Sequence, residues 1–401
     1  MTGPMTGVKV VEMGVWVAGP AAACVLADWG AEVLKIEPIS VGDPARLFSR
    51  MLGADLPFNP PFEMDNRGKQ SIAIDLGHPE GLEVALELID AADVFLTNVR
   101  LAGLERLGLD YASLKRRNPR LVYAAISGYG FEGPDAERAG YDIAAYWARS
   151  GIAHSLTNPG ADPPFQRGGM GDHSVALTCA GAVSAALYAR EKTGEGQLVT
   201  TSLLRQGLYT LSFDYAFMLR FGATMGIADR RAMMNPCINS YRDRDGRWFW
   251  IVGLEGERHW PPLCRALGHP EWQQDPRFVD PEQRAANAAE LIEMLDAIFA
   301  TRPLEAWSEI FDAEEDFFWA PVQSLEEVLA DPQTTASGGL VEVLDGESTL
   351  MFPATPADFG GAAPAPRSAA PTHGEHTDSV LAALGRSAGV IGQLRAKGVV
   401  L

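Results

Sequence analysis

Short apolar strands that alternate with helices in the N-terminal half, followed by a hairpin and a run of helices, predict an α/β chain with a large doubly wound domain and a smaller α+β domain. Residues 8–13 read as a strand, 20–29 as a helix stopped by Gly30, and 32–36 as a second strand, so the chain opens as β-α-β. Near-continuous apolar runs at 71–74, 94–97 and 121–126 are separated by helical stretches such as 79–91. That is the pattern of a mostly parallel sheet covered on both faces. A helix over 173–190, a strand at 197–201 and a helical segment reaching residue 220 complete the N-terminal part of the large domain, 1–221.

The texture changes after residue 221, and a linker is expected over 222–238. The smaller domain, 239–332, starts with a hairpin over 239–252. Asp245-Gly246 supplies its turn, and Trp248, Trp250 and Val252 alternate after it. Helices are expected at 259–267, 284–300, 304–311 and 325–330. From residue 341 the chain returns to short strands, a loop rich in Pro and Ala over 353–371, and two final helices.

The 401 residues are 47% hydrophobic and 21% charged, enough for two domains with substantial cores. A net charge of −19, from 33 Lys+Arg against 52 Asp+Glu, repels nucleic acid and anionic lipid. Neither nucleic acid nor membrane is an expected partner, and an anionic ligand needs a local basic pocket. Cys24, Cys179, Cys237 and Cys264 are far apart and form no CxxC pair, which fits a reducing compartment better than a disulfide framework or a zinc site. The expected location is cytoplasmic, with no metal. The apolar stretch 14–27 contains Pro20 and lacks a basic leader, so it reads as neither signal peptide nor membrane span. After the first strand, Gly14-Val15-Trp16-Val17-Ala18-Gly19-Pro20 does not supply G-x-G-x-x-G and puts bulky side chains where a pyrophosphate needs bare backbone, which disfavours NAD. A G-x-x-x-x-G-K-[ST] loop is absent as well.

Asp172 closes the glycine-rich approach Gly168-Gly169-Met170-Gly171 and opens an apolar helix. Glycines let a ligand come close to the backbone, and the first amides of a helix are unpaired donors able to hold an anion. Asp is also a favoured N-cap, so a capping role competes with a chemical one on local sequence alone.

Several separate stretches lie in order along nearly the whole chain. They are Ala18-Gly19-Pro20 with the run from Gly30 to Pro38; Asn66-Arg67-Gly68-Lys69 before Ser71-Ile72; Ala92-Asp93-Val94 through Asn98; Ser127-Gly128-Tyr129-Gly130; Gly171-Asp172; Gly194-Glu195-Gly196-Gln197; and Gly374-Glu375-His376-Thr377. Together they resemble the class III CoA-transferases, the family of formyl-CoA and carnitine CoA-transferases that also holds α-methylacyl-CoA racemase. The resemblance implies a large Rossmann-like domain to which residues 333–401 return, a smaller domain between, and two chains interlocked as a homodimer, a rare exception to the unknotted rule.

The resemblance also implies roles. Asp172 matches the catalytic Asp that carries an acyl group and then CoA through anhydride and thioester intermediates. With an ordinary value of about 3.9 it is expected to be ionised at neutral pH. Val17 and Ala18 match the lining of the CoA thiol arm, and Val17 stands where formyl-CoA transferase has Gln. Lys69, Asn98, Val99, Arg106 and Leu107 match positions around the nucleotide, whereas Pro38 replaces a family Arg. Arg67 and Arg100 are added as phosphate cations from charge alone. Tyr141 stands where the racemase branch has a His base, which argues for transfer over isomerisation, because a phenol near pKa 10 is a poor base at neutral pH. His154, His173 and His376 are left out of the chemistry.

The expected activity is therefore an acyl-CoA:carboxylate CoA-transferase, with CoA and acyl-CoA as substrates, a carboxylic acid acceptor and no tightly bound cofactor. A 2-methylacyl-CoA racemase and a non-catalytic CoA-binding protein are the alternatives. Where the formyl-CoA enzymes carry a glycine-rich loop this chain has Arg231-Ala232-Met233-Met234-Asn235-Pro236, which suggests a substrate larger than formate or oxalate, with Trp147, Met233 and Met234 as pocket walls.

Overall fold

The computed structural model of the chain describes residues 3–51, 53, 56, 58–224, 229–361 and 366–401. Six strands form its main sheet: β1 (Lys9–Met13), β2 (Glu32–Glu37), β3 (Lys69–Ala73), β4 (Val94–Thr97), β5 (Val122–Ser127) and β6 (Leu198–Ser202). Their spatial order is 3-2-1-4-5-6 and every pairing is parallel, with Val10 opposite Val33 on one side and Val94 on the other. This is the doubly wound order, whose direction reverses between β1 and β4. The reversal opens a crevice at the C-terminal ends of those two strands.

Both faces are covered, which is why the central β4 and β5 read as apolar runs. On one face α1 (Ala18–Asp28), buried at every position and rich in alanine, packs close to α2 (Met170–Thr193). On the other face the helix Pro79–Asp90 contributes Val84, Leu88 and Ile89, and the helices Thr377–Ala383 and Ala388–Ala396 contribute Leu381, Ile391 and Leu394. The C-terminal segment is tied to the β3 edge through His376 N to Ser71 O at 2.9 Å and a bridge between Ile74 and Val400.

The chain divides into two compact units, Met1–Ser155 with Pro164–Thr224 and Gln333–Leu401, and Leu156–Pro163 with Met225–Pro332. In the second unit an antiparallel sheet of β7 (Ile238–Arg242), β8 (Trp248–Val252) and β9 (Trp319–Pro321) packs against an aromatic core containing Trp260, Phe299, Trp307 and Phe311. The β7–β8 turn contains Gly246, at φ 85°. In the first unit β10 (Leu340–Asp345) and β11 (Ser348–Pro353) form a separate hairpin.

Some helix boundaries differ from expectation. The helix anticipated from residue 173 begins at Met170, because Gly169 takes a left-handed φ of 79° and lets the helix start earlier. The segment reaching residue 220 breaks at Leu211 into Leu203–Thr210 and Ser212–Phe221, and the 284–300 stretch breaks at Asn287 into Pro281–Ala286 and Ala288–Phe299. Of the linker expected at 222–238, residues 225–228 lie outside the described residues, Arg230–Ala232 form a 3₁₀ turn, and Ile238 already belongs to β7. In the loop 353–371, residues 362–365 lie outside the described residues. Among the described residues no helix is long and apolar enough to cross a membrane.

Candidate active site

The loop from β1 to α1 lies at the switch point and is held from several sides. Asn98, just past β4, accepts from Val15 N and donates from Nδ2 to Val15 O, both at 2.8 Å. A Cβ at Gly19 would come within 2.9 Å of the Asn98 side chain, so glycine is what lets the helix start approach it. Between these anchors Trp16 adopts φ 64°. A left-handed conformation costs a bulky L-residue roughly 1–2 kcal/mol. The fold overrides that cost with a bond from Trp16 N to Asp43 Oδ1 at 2.9 Å, and the indole meets Phe48 and Tyr141 edge-on, with ring centroids 5.4 and 5.7 Å away.

Beneath this loop lies a sealed cluster of charge. Lys35 Nζ donates to Glu12 Oε1 at 2.7 Å and Gly14 O at 2.9 Å, and pairs with Asp43 at 2.9 Å. Lys69 Nζ donates to Glu12 Oε2 at 2.7 Å, and to Pro20 O and Asn66 Oδ1 at 2.9 Å. Burial opposes the Glu12 charge, yet the two ammoniums hold its carboxyl below the usual value. Both ends of the loop, at Gly14 and Pro20, are thus fastened to buried lysines.

The opposite wall comes from the start of α2. A single π-helical turn, Ile143–Ala148, follows Asp142 and brings Tyr146 under Gly171. Asp142 is buried; it accepts from Gln166 Nε2 at 2.8 Å and from Gly171 N at 3.1 Å. Any side chain at Gly171 would run into Asp142 and the Tyr146 ring. Asp172 is therefore the third residue of the helix and not its N-cap, a position Gly169 fills. Among the described residues the amides of Met170 and Asp172 bond to no protein group, as expected for a helix start.

Burial, with the Asp142 carboxylate adding to it, pushes the Asp172 carboxyl up to about 7. The expectation of a carboxylate fully ionised at neutral pH is corrected accordingly: dehydration and a like charge both favour its protonated form. Next to it His173 Nε2 lies 3.0 Å from Asp65 Oδ1, a hydrogen bond that raises the imidazole above its ordinary value.

One cleft brings together Val17, Ala18, Asn98, Val99, Arg100, Tyr141 and Asp172. The Asn98 side chain is occupied in bracing Val15. A second, more apolar cavity lies across the ends of β1 and β2, lined by Ile36, Pro38, Leu76, Val99 and Leu107. Arg100 and Arg106 are exposed and, among the described residues, their side chains have no hydrogen-bond or ion-pair partner.

The other two expected cations are corrected. Lys69 is sealed in the Glu12 cluster, and Arg67 is fully buried, paired with Asp28 at 2.7 Å and donating to Met64 O at 2.7 Å. Both are sealed from solvent and ion-paired inside the protein, so neither offers a surface to a phosphate. Trp147 is also no wall of the cleft; it is buried in the first unit's core and donates to Pro164 O at 3.1 Å. Met233 packs against the second unit's core, while Met234 is exposed. His154 is exposed, and His376 accepts from Ser71 N at 3.3 Å as a tie between segments. Trp16, Asp142 and Arg138, which also line the cleft, were not expected there. Asp142 follows Tyr141 directly, so its nearness was available from the same motif; the φ of Trp16 has no sequence signal.

An α/β enzyme with a ligand crevice at the switch point and a carboxylate in its wall is the class that fold and cleft define together. The family model described as CoA-transferase family III matches residues 5–377. The chain is 32% identical to (R)-2-hydroxy-4-methylpentanoate CoA-transferase of Clostridioides difficile, covering 95% of each protein. It is 32% identical to cinnamoyl-CoA:phenyllactate CoA-transferase of Clostridium sporogenes, over 85% of this chain and 84% of that protein. Among solved structures it resembles a CAIB/BAIF family protein from Brucella suis, with TM-score 0.82 and 30% identity, over 96% of this chain and 100% of the other. The chain belongs to the class III CoA-transferase family and is a CoA-transferase. The named relatives are CoA-transferases for various acids and give the racemase alternative no support.

Proposed function

We propose that this chain moves CoA from an acyl-CoA to a free carboxylic acid, with Asp172 as the nucleophile. What carries this is the position of Asp172 in the wall of the switch-point cleft, together with Val17 and Ala18 at the helix start. The ionised carboxylate attacks the thioester carbonyl, the C–S bond breaks, and CoA leaves as the thiolate, with an acyl-aspartyl anhydride left behind. The thiolate then attacks the aspartyl carbonyl, expelling the donor acid as its carboxylate and leaving an aspartyl-CoA thioester. An acceptor carboxylate attacks that thioester, freeing the thiolate and forming a second anhydride. The thiolate takes the new acyl group and Asp172 is regenerated. The unbonded amides of Met170 and Asp172 supply donors for a developing oxyanion.

The nucleotide end of CoA is assigned to the second cavity, whose volume of about 480 Å³ falls in the roughly 300–1,000 Å³ range of small-molecule sites. Val15 and Val99 line both cavities, so one elongated ligand can run between them. Arg100 and Arg106 are the cations assigned to the phosphates. The donor is larger than formate or oxalate, in keeping with the acids in the names of the two clostridial relatives. CoA enters as substrate, the chain works as an interlocked homodimer, and it acts in the cytoplasm.

Incubation with an acyl-CoA and hydroxylamine, followed by peptide mass spectrometry, is expected to find a hydroxamate at Asp172. Asp172→Asn is expected to lose about 10³-fold or more of the transfer rate. Undiminished transfer by that variant would end the proposal, and normal CoA binding with no adduct would leave a CoA-binding protein.

A further inference from the structure

We infer, resting on the cleft being the acyl-transfer site, that Trp16 is a specificity-determining residue: its indole and the Tyr141 ring form an aromatic corner that favours a branched or aromatic acyl group over a short one. At φ 64° the backbone has the conformation glycine adopts freely. Glycine would sit there without strain, so what tryptophan adds is the ring. The conformation is no accident of a loose loop, because Val15 is clamped by Asn98 and Trp16 N by Asp43. Asp43 is itself held by buried Lys35. Strain kept in place by its surroundings at a ligand cleft points to function.

The surroundings of the ring say what it is for. A core tryptophan is sealed, whereas Trp16 is only partly buried, and the Tyr141 against which it stands edge-on is 62% exposed. Both line the cleft that holds Asp172, along with the apolar side chains of Val15, Val17, Ile126 and Leu203. A flat or branched apolar group buries area against two rings there. An acetyl group is too short to cover the same surface and buries little area there.

The test is kcat/KM for 3-phenylpropanoyl-CoA and 4-methylpentanoyl-CoA relative to acetyl-CoA, with a common acceptor acid. The wild-type chain is expected to prefer the two larger esters. Trp16→Ala is expected to cut that preference about tenfold or more, and Trp16→Phe to keep it within about threefold. Trp16→Gly is expected to lose the preference as Ala does, yet to melt at a higher temperature than the Ala variant because it relieves the backbone. This separates loss of the ring from damage to the fold. An unchanged preference in the Ala and Gly variants, or a wild-type preference for acetyl-CoA, overturns the inference. Undiminished transfer by Asp172→Asn in the same assay would strike the assignment of the cleft and take this inference with it.

Discussion

Two clusters of charge in the first unit are built on opposite plans. Under the β1–α1 loop, two lysines face Glu12 and Asp43, all four are fully buried, and each ammonium has three oxygen partners. At the start of α2, three carboxylates, Asp172, Asp142 and Asp65, face one imidazole, and the cleft admits solvent. The balanced cluster locks its charges and fixes the backbone. Burial first, and the acidic surplus after it, raise the Asp172 carboxyl to about 7, where small changes in surroundings decide whether it carries a proton. Similar residue types thus make a strut in one place and a readily titrated carboxyl in the other, and net local charge is the difference.

The largest effect expected from breaking this contrast is on stability. Lys69→Met leaves a Glu12 oxygen buried without its cation, and is expected to cost about 3–5 kcal/mol in urea denaturation, with the KM for CoA unchanged in the folded fraction. A raised KM at an unchanged midpoint would mean that Lys69 reaches the nucleotide after all. A smaller effect of opposite sign is expected at Asp172. Its folded value of about 7 lies above the unfolded 3.8, so the stability it contributes is complete below pH 4 and lost as pH rises through 7. Asp172→Asn is therefore expected to be more stable than the wild type by roughly 1–3 kcal/mol at pH 8, the gap closing by pH 4; equal stability at both values would contradict the burial cost.

The smallest effect is a displacement of the pH profile. The proposed attack by Asp172 needs its ionised carboxylate, so kcat/KM is expected to rise with pH through about 7 to a plateau. Asp142→Asn keeps an acceptor for Gly171 N but removes the like charge, and is expected to move the midpoint to lower pH. A midpoint that stays in place would remove Asp142 from the causes of the elevation and leave burial with the weaker pull of Asp65.

The central strands β4 and β5 were legible because they are buried on both faces and read as near-continuous apolar runs; β4 has no exposed position. The breaks at Leu211 and Asn287 were not, since the residues on either side keep helical periodicity through them. The candidate Asp172 was singled out by its glycine-rich approach, but its place in the helix turned on the left-handed φ of Gly169, which the sequence does not show. Lys69 shows a harder limit. Its partner Glu12 is 57 positions away, and nothing local distinguishes a lysine sealed in a salt bridge from one waiting for a phosphate.

The four cysteines of the chain are all buried, and burial pushes each thiol up to about 12. A mixed anhydride is a potent acylating agent, and any accessible protein thiolate near it would capture the acyl group in an unproductive dead end. With Cys24, Cys179, Cys237 and Cys264 withdrawn and protonated, such an intermediate would meet one competent sulfur, that of the coenzyme, and the enzyme would be spared from poisoning itself.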